Sequence, residues 1–138
     1  MRTYLFDLDG TLLDSREPIL TGMNRALTAV GLEPVTGDEL WPHIGPPLRL
    51  LLDALLTERG DDPSLVEPLV DRYRAEYRTL SIELARTYPG IPQLLDSLAG
   101  RARLGVVTSK PQIFALPILE TLGLAGQMEV IEGADPTD

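Results

Sequence analysis

The chain has 138 residues, of which 43% are hydrophobic and 24% are charged, and its formal net charge is −9. This length suits one ordinary domain, or a single core with a small insertion, and the composition is typical of a globular protein. The acidic balance argues against a nucleic-acid-binding protein, because little positive charge is present to neutralise a phosphate backbone.

We expect neither a targeting segment nor cysteine chemistry in this protein. The apolar run at residues 4–6 is too short for a signal peptide, and no apolar segment approaches the roughly 18–20 residues that span a bilayer. The chain has no cysteine, so disulfides and thiolate chemistry are excluded. We therefore expect a soluble, cytoplasmic protein with no membrane and no nucleic-acid partner.

The first predicted elements are a strand and a block of helices. Residues 3–6 form a short, unbroken apolar run, which is typical of a strand covered on both faces. Apolar residues then recur at helical spacing over residues 15–82, with glycine stops at Gly31 and Gly60. This pattern predicts an all-helical insertion directly after the first strand.

Two pairs of residues predict where helices of this block begin. Thr36 with Glu39, and Ser64 with Glu67, have the spacing of a capping box, in which each side chain bonds the backbone amide of the other residue. We expect one short helix to follow Thr36 and another helix to begin at Ser64.

An α/β pattern resumes after residue 82. Because strands that alternate with helices form parallel sheets with right-handed crossovers, we expect a parallel α/β sheet. Ligands of such sheets bind beyond the carboxyl ends of the strands, where Asp7 and Thr108 are predicted to lie. The predicted elements are a helix at 91–98, a strand at 104–107, a helix at 111–122 and a strand at 128–131.

The loop after the first strand carries two carboxylates, Asp7 and Asp9. Close carboxylates repel each other, and a hard divalent cation with oxygen ligands, such as Mg²⁺, stabilises them together. One acid can attack phosphorus to form an aspartyl-phosphate, while the other acts as general acid and base. Gly10 allows a close backbone approach to phosphate, and Thr11 offers a hydroxyl and an amide. Alternatively, both aspartates are solvated carboxylates after an edge strand.

Residues 6–15, Phe-Asp-Leu-Asp-Gly-Thr-Leu-Leu-Asp-Ser, resemble the first motif of the haloacid dehalogenase-like (HAD) hydrolase superfamily. The resemblance implies that Asp7 is the nucleophile, that Asp9 is the general acid/base, and that both hold Mg²⁺, Asp9 through its backbone carbonyl. Residues 106–110, Val-Val-Thr-Ser-Lys, resemble the second motif, whose hydroxyl residue, here Thr108, binds the substrate phosphoryl group. Ser109 and Lys110 are expected beside that group.

The helical block matches in place and size the cap of the phosphoglycolate phosphatase-like branch. Ile-Gly-Pro-Pro-Leu at residues 44–48 and Thr-Ser-Lys-Pro at residues 108–111 resemble its 5′-nucleotidase-like or phosphoglycolate phosphatase-like subset. The implied fold is α/β: a Rossmann-like, parallel three-layer core at residues 1–14 and 83–138, with an inserted all-helical cap at residues 15–82. Gly45 and Pro46 then belong to a substrate-facing loop of the cap, or they simply end a helix.

Some residues have a second interpretation. Thr108 can also cap the helix that follows it, and Lys110 is either a solvated loop lysine or a cation near the phosphate. His43, the only histidine, is expected to be a solvated or packed residue of the cap rather than a general acid. The last helix of the cap is expected to carry Arg74, Arg78 and Arg86, which either meet an anionic substrate or form a solvated face.

Two further motifs of the superfamily have no match in this sequence: a lysine after the third strand and a carboxylate pair after a fourth strand. The C-terminal part of the core is therefore expected to be missing, which leaves the first strand at an open edge of the sheet. Either the natural chain continues beyond Asp138, or the sequence is a truncated product or a fragment. We expect the 138-residue chain to have weak activity or none, because Mg²⁺ binding and charge neutralisation both suffer.

The leading hypothesis is a Mg²⁺-dependent phosphatase that hydrolyses a small phosphomonoester, either phosphoglycolate-like or a nucleoside monophosphate. The complete protein is expected to be a monomer or a homodimer. A phosphomutase would keep both aspartates and differ in its product, whereas a dehalogenase would need neither Asp9 nor Mg²⁺. A further alternative is a non-catalytic or truncated fragment that binds phosphate or a partner.

Overall fold

A computed structural model of the chain describes residues 1–135. The chain divides into two compact units, one formed by Met1–Ser15 with Ser81–Asp138 and the other by Arg16–Leu80. No helix within residues 1–135 combines the length and the apolar character needed to cross a membrane. In chain order, the strands and helices are β1 (Arg2–Phe6), α1 (Arg16–Ala29), α2 (Gly37–Leu40), α3 (Leu48–Arg59), α4 (Val66–Glu83), α5 (Ile91–Leu98), β2 (Ala102–Pro111), α6 (Gln112–Thr121) and β3 (Val130–Ala134).

The first unit is built on a three-stranded parallel sheet with the strand order β1-β2-β3. Phe6 on β1 lies opposite Val106 on β2, and Val106 lies opposite Ile131 on β3. The predicted parallel α/β sheet is therefore confirmed. Since parallel strands run in the same direction, the loop that follows Phe6 and the part of β2 that follows Val106 lie at the same end of the sheet.

β2 and β3 extend further along the chain than the sequence pattern predicted. The predicted strand at 104–107 is the central part of β2, which continues to Pro111, and β3 begins at Val130 instead of residue 128. The pairing of β2 with β3 is irregular between Val107 and Pro111, and it resumes where Pro111 lies opposite Ala134. Residues 108–110 therefore form a bulge, and an apolar pattern marks only the regular part of such a strand.

One face of the sheet is covered and the other is open among the described residues. α6 packs on β2 and β3, and Val106 at the centre of β2 is fully buried. On the opposite face, Leu5, Val107 and Val130 are exposed, Leu5 by 62%. Within residues 1–135, β1 pairs with β2 alone and so forms an open edge, as the sequence predicted.

The second unit is a block of helices with an apolar core of its own. Asn24 fixes the segment that follows α1, because its side-chain amide donates to the Val35 carbonyl at 2.9 Å and its side-chain oxygen accepts the Val35 amide at 2.8 Å. The largest buried side chains of this core come from α1, α2, α3 and α4: Met23, Leu27, Leu40, Leu52, Leu55, Leu56 and Leu69.

The two predicted capping boxes have different outcomes. The Thr36 hydroxyl accepts the Glu39 amide at 3.3 Å, and the Glu39 carboxylate accepts the Thr36 amide at 2.7 Å, so the first box is confirmed. The second prediction is wrong, because α4 begins at Val66 after a short 3₁₀ turn. Asp62 caps that turn by accepting the Ser64 amide at 2.9 Å, so Ser64 is the capped residue and not the cap.

Glu39 gives the second unit a pH-dependent contribution to stability. The hydrogen bond from the Thr36 backbone holds the pKa of the Glu39 carboxyl below its ordinary value of 4.5. Because this pKa is lower in the folded chain than in the unfolded one, the stabilisation is complete above pH 4.5 and is lost as the pH falls through the folded pKa. We expect the difference in unfolding free energy between wild type and Glu39→Gln to shrink as the pH falls from about 6 to about 3 in urea denaturation series.

The control for this measurement is Glu33→Gln, which also removes one exposed carboxylate but leaves the capping box intact. The same pH response in Glu33→Gln and Glu39→Gln would show that the box does not contribute the pH dependence.

Candidate active site

The loop that follows β1 is a tight turn anchored by two buried leucines. Leu8 and Leu12 are fully buried, and the Leu8 carbonyl accepts three backbone amides at 2.9–3.2 Å. Gly10 makes the turn with a φ of 79°, a left-handed conformation that favours glycine. Asp7 and Asp9 flank the buried Leu8, so both carboxylates are carried by one rigid turn at the carboxyl end of β1.

The backbone amides of Gly10 and Thr11 already have partners inside this loop. The Gly10 amide donates to the Leu13 carbonyl at 3.0 Å, and the Thr11 amide donates to the Leu8 carbonyl at 3.2 Å. The Thr11 amide that we expected to face phosphate is thus used by the turn. Thr11 itself is exposed, so its hydroxyl is the group that a ligand can reach.

Asp7 is exposed at the beginning of the turn. Its Oδ1 accepts the amide of Leu8 at 2.7 Å. This hydrogen bond restricts the rotation of the carboxylate without removing it from solvent. A substrate can therefore reach Asp7 from outside the protein.

Thr108 and Lys110 lie on the buried side of the bulge in β2, whereas Ser109 is exposed. The Thr108 hydroxyl oxygen accepts the amide of Lys110 at 3.1 Å. Since this bond uses an oxygen lone pair, the hydroxyl hydrogen can still be donated to a ligand. Thr108 does not cap α6, whose N-cap residue is Pro111.

Lys110 is the only lysine of the chain, and its ammonium faces Asp9. Lys110 Nζ lies 3.2 Å from Asp9 Oδ1, and the lysine side chain is 6% exposed. Burial lowers the pKa of the Lys110 amine, and the charge of Asp9 opposes this effect. The interpretation of Lys110 as a solvated loop lysine is therefore wrong. The ion pair brings the two sequence motifs together at one edge of the sheet.

Gln112, which the sequence did not single out, fixes the backbone next to Lys110. Its side-chain amide donates to the Ile131 carbonyl at 3.0 Å, and its side-chain oxygen accepts the Gly133 amide at 2.6 Å. Gly133 lies so close that a Cβ there would be 2.7 Å from the Lys110 carbonyl oxygen and 2.8 Å from the Gln112 amide nitrogen. A glycine next to an apolar strand pattern is the sequence signal for such a close approach.

The predicted cap residues belong to the second unit. Gly45 and Pro46 are exposed, and Gly45 has a φ of 131°. Their place in a substrate-facing loop stays a prediction. His43 Nε2 lies 2.7 Å from Glu58 Oε2, so the histidine has a carboxylate partner within the same unit.

Two segments of the first unit, one before α1 and one after α4, are bonded to each other. The Asp14 amide donates to the Arg86 carbonyl at 3.1 Å, and Arg86 Nη2 lies 3.4 Å from Asp14 Oδ2. The prediction that Arg86 lies on the last cap helix is wrong, because α4 ends at Glu83.

Within residues 1–135, no group of three or more His, Cys, Asp or Glu side chains is placed to hold a metal ion. Asp7 and Asp9 are nevertheless hard oxygen donors. Mg²⁺ commonly takes one or two protein carboxylates and completes its coordination with water and phosphate oxygens. The two aspartates therefore fit Mg²⁺ as a partial set of ligands.

Residues 4–138 match the family model of the haloacid dehalogenase-like hydrolases. The chain belongs to this family. A phosphoglycolate phosphatase from Agrobacterium fabrum is 35% identical over 134 residues, which are 95% of this chain and 58% of that protein. A 5′-nucleotidase from Pseudomonas aeruginosa is 36% identical over 132 residues, again 95% of this chain and 58% of that protein.

Solved structures of the family share the fold. A haloacid dehalogenase-like hydrolase from Streptococcus pneumoniae superposes with a TM-score of 0.86 at 25% identity, over 99% of this chain and 62% of its own chain. The predicted family and its Rossmann-like α/β fold are thus confirmed. The chain spans about three-fifths of the length of the relatives that it matches.

The close approach of Gly133 to the Lys110–Gln112 backbone predicts a steric effect on stability. We expect Gly133→Ala to lower the unfolding free energy by about 1–3 kcal/mol, because the new methyl group meets backbone atoms that cannot rotate away. Gly126→Ala is the matched control, since a Cβ at Gly126 meets no atom within 4 Å. Urea denaturation of both variants measures the difference, and equal stability of the two would contradict the close packing.

Proposed function

We propose that the protein is a phosphatase of the HAD-like family that hydrolyses a small phosphomonoester through an aspartyl-phosphate on Asp7. The observation that carries this proposal is the ion pair between Lys110 and Asp9, which joins the loop after β1 to the bulge that contains Thr108. A nucleophile, a general acid/base and a hydrogen-bond donor for the phosphoryl group then share one edge of the sheet. Relatives named phosphoglycolate phosphatase and 5′-nucleotidase support a phosphomonoester as the substrate.

In the first half-reaction, a carboxylate oxygen of Asp7 forms a bond to phosphorus while the bond from phosphorus to the leaving oxygen breaks. Asp9 gives its proton to that leaving oxygen. The Thr108 hydroxyl donates its hydrogen to a phosphoryl oxygen, and the exposed hydroxyls of Thr11 and Ser109 can add further bonds. The exposure of Asp7 suits this role, because the phosphoryl group arrives from solvent.

In the second half-reaction, water attacks the phosphorus of the aspartyl-phosphate. Asp9, now deprotonated, takes a proton from this water, and the bond from phosphorus to Asp7 breaks. Inorganic phosphate is released and the Asp7 carboxylate is restored. One residue thus serves as acid and then as base, which requires a carboxylate that stays beside the reacting oxygen in both steps.

The proposal includes Mg²⁺, held by Asp7 and by Asp9 through its backbone carbonyl. When bound, the ion supplies positive charge that offsets the repulsion between two carboxylates and an anionic substrate. A chain with a formal net charge of −9 needs such local positive charge to attract a phosphate.

We further propose that residues 15–82 act as the cap over a core formed by residues 1–14 and 83–138. In this arrangement Gly45 and Pro46 face the leaving group, which is phosphoglycolate-like or a nucleoside. Selectivity would then depend on cap side chains, which contact the part of the substrate that differs between phosphomonoesters.

Two alternatives make distinct predictions. A phosphomutase with the same aspartates would return an isomerised sugar phosphate and little free phosphate. A non-catalytic protein would bind phosphate without turnover, and the lack of a third side-chain metal ligand within residues 1–135 is the observation that favours it. Product analysis separates these alternatives from a phosphatase.

Asp7→Asn is the direct test of the nucleophile. Asparagine keeps an oxygen that can accept the Leu8 amide, so we expect this variant of the complete protein to fold normally but to lose turnover by about 10³-fold or more. The measurement is phosphate release from phosphoglycolate, nucleoside monophosphates and sugar phosphates, with Mg²⁺ and with a chelator in its place.

Asp53→Asn is the control, because Asp53 is an exposed aspartate on α3 in the second unit. Full activity of Asp7→Asn would remove the nucleophile assignment. If a chelator leaves turnover unchanged, the proposed role of Mg²⁺ is wrong. Strong turnover by the 138-residue chain would overturn our expectation that this chain has weak activity or none.

A further inference from the structure

The ammonium of Lys110 is held away from the open side of the site. Its side chain is 6% exposed, and its nitrogen lies 3.2 Å from Asp9 Oδ1. Lys110 has a carboxylate of the catalytic loop as a charged neighbour, and its predicted place beside the substrate phosphoryl group stays a prediction.

The two oxygens of Asp9 have different surroundings. Oδ1 is buried and has no hydrogen-bond partner among residues 1–135, so Lys110 contacts it as an ion pair, although the Asp9 side chain as a whole is 31% exposed. The accessible part of the carboxylate therefore lies away from Oδ1. A substrate that approaches from solvent meets the Oδ2 side of Asp9, and the ion pair determines which oxygen is presented.

The backbone that carries Lys110 is fixed from several directions. Its amide donates to the Thr108 hydroxyl oxygen at 3.1 Å, and its carbonyl lies against Gly133. Gln112, two residues later, is bonded to the backbone of β3 on both sides of residue 132. A lysine with an immobile backbone and a buried side chain has few accessible rotamers, so its ammonium keeps a fixed position next to the Asp9 carboxylate.

We infer that Lys110 is a positioning residue, which holds Asp9 Oδ1 and thereby directs Asp9 Oδ2 at the leaving-group oxygen. This inference rests on the proposed phosphatase function. The proton of Oδ2 passes to the leaving oxygen as the bond from that oxygen to phosphorus breaks, and Lys110 keeps its own protons throughout. Lys110 thus acts through Asp9 and does not touch the reacting atoms.

The first test is direct, because the chain contains a single lysine. Protein labelled with ¹⁵N-lysine gives one side-chain ammonium resonance in NMR spectra. We expect Asp9→Asn to shift this resonance and to remove the protection of its hydrogens from solvent exchange. Asp53→Asn, on α3, should leave both unchanged. A resonance that is the same in wild type and Asp9→Asn would overturn the inference.

The second test separates positioning from substrate binding and from a purely structural role. An alkyl phosphate has a poor leaving group that needs a proton, whereas p-nitrophenyl phosphate has a good one that does not. In the complete protein, we expect both Lys110→Met and Asp9→Asn to lower kcat for the alkyl phosphate about tenfold more than kcat for p-nitrophenyl phosphate. The dissociation constant of inorganic phosphate should stay unchanged.

Two further variants complete the kinetic test. Lys110→Arg keeps the charge and should recover part of the loss with the alkyl phosphate. Lys110→Met combined with Asp9→Asn should be no slower than Asp9→Asn alone, because both changes remove the same contribution. An equal loss on both substrates, or weaker binding of inorganic phosphate in Lys110→Met, would overturn the inference.

Failure of the proposed function would look different. If the complete protein that contains these residues releases no phosphate from any substrate, the phosphatase proposal fails, whereas weak or absent turnover by the 138-residue chain is the result that we expect. In that case the ammonium resonance still tests whether Lys110 and Asp9 form an ion pair. A shift of the resonance in Asp9→Asn supports the contact, and an unchanged resonance refutes it.

Discussion

Phe6 lies opposite Val106 in the parallel pairing of β1 with β2, and every feature of the candidate site depends on this pairing. It places the loop with Asp7 and Asp9 next to the bulge of β2 with Thr108 and Lys110, at the same end of the sheet. Neither segment holds a complete site. The first carries carboxylates that repel each other, and the second carries a hydroxyl and a cation. Together they bring carboxylate, hydroxyl and ammonium groups to one edge of the sheet.

The charge distribution explains why the contact between Lys110 and Asp9 is important. Burying an ammonium is costly unless a carboxylate compensates it, and leaving either partner alone in a buried position costs more than the pair contributes. The chain has a formal net charge of −9 and a single lysine, yet that lysine is buried against Asp9. Gln112 and Gly133 support the same arrangement from the backbone side. The polar contacts around the bulge thus act together to hold the Asp9 carboxylate in place.

The sequence by itself determined the elements that depend on local physics. Alternation of apolar runs with helical periods indicated the parallel sheet and the helical block, and the spacing of Thr36 and Glu39 located a real capping box. The residues from Phe6 to Ser15 led to the family through their resemblance to its first motif. These signals lie within a few residues of each other, so no knowledge of distant contacts was needed.

Only the tertiary structure decided the features that join distant parts of the chain. Lys110 was equally compatible with a solvated loop and with a phosphate site, and it became a partner of Asp9 because strand pairing brings them together. The same holds for Gln112 with Gly133 and for Arg86 with Asp14. The bulge at residues 108–110 could not be predicted from the sequence either, since the pairing register of β2 depends on its partner strand. Periodicity describes which face a residue occupies, but which groups meet is determined by the long-range pairing of the sheet.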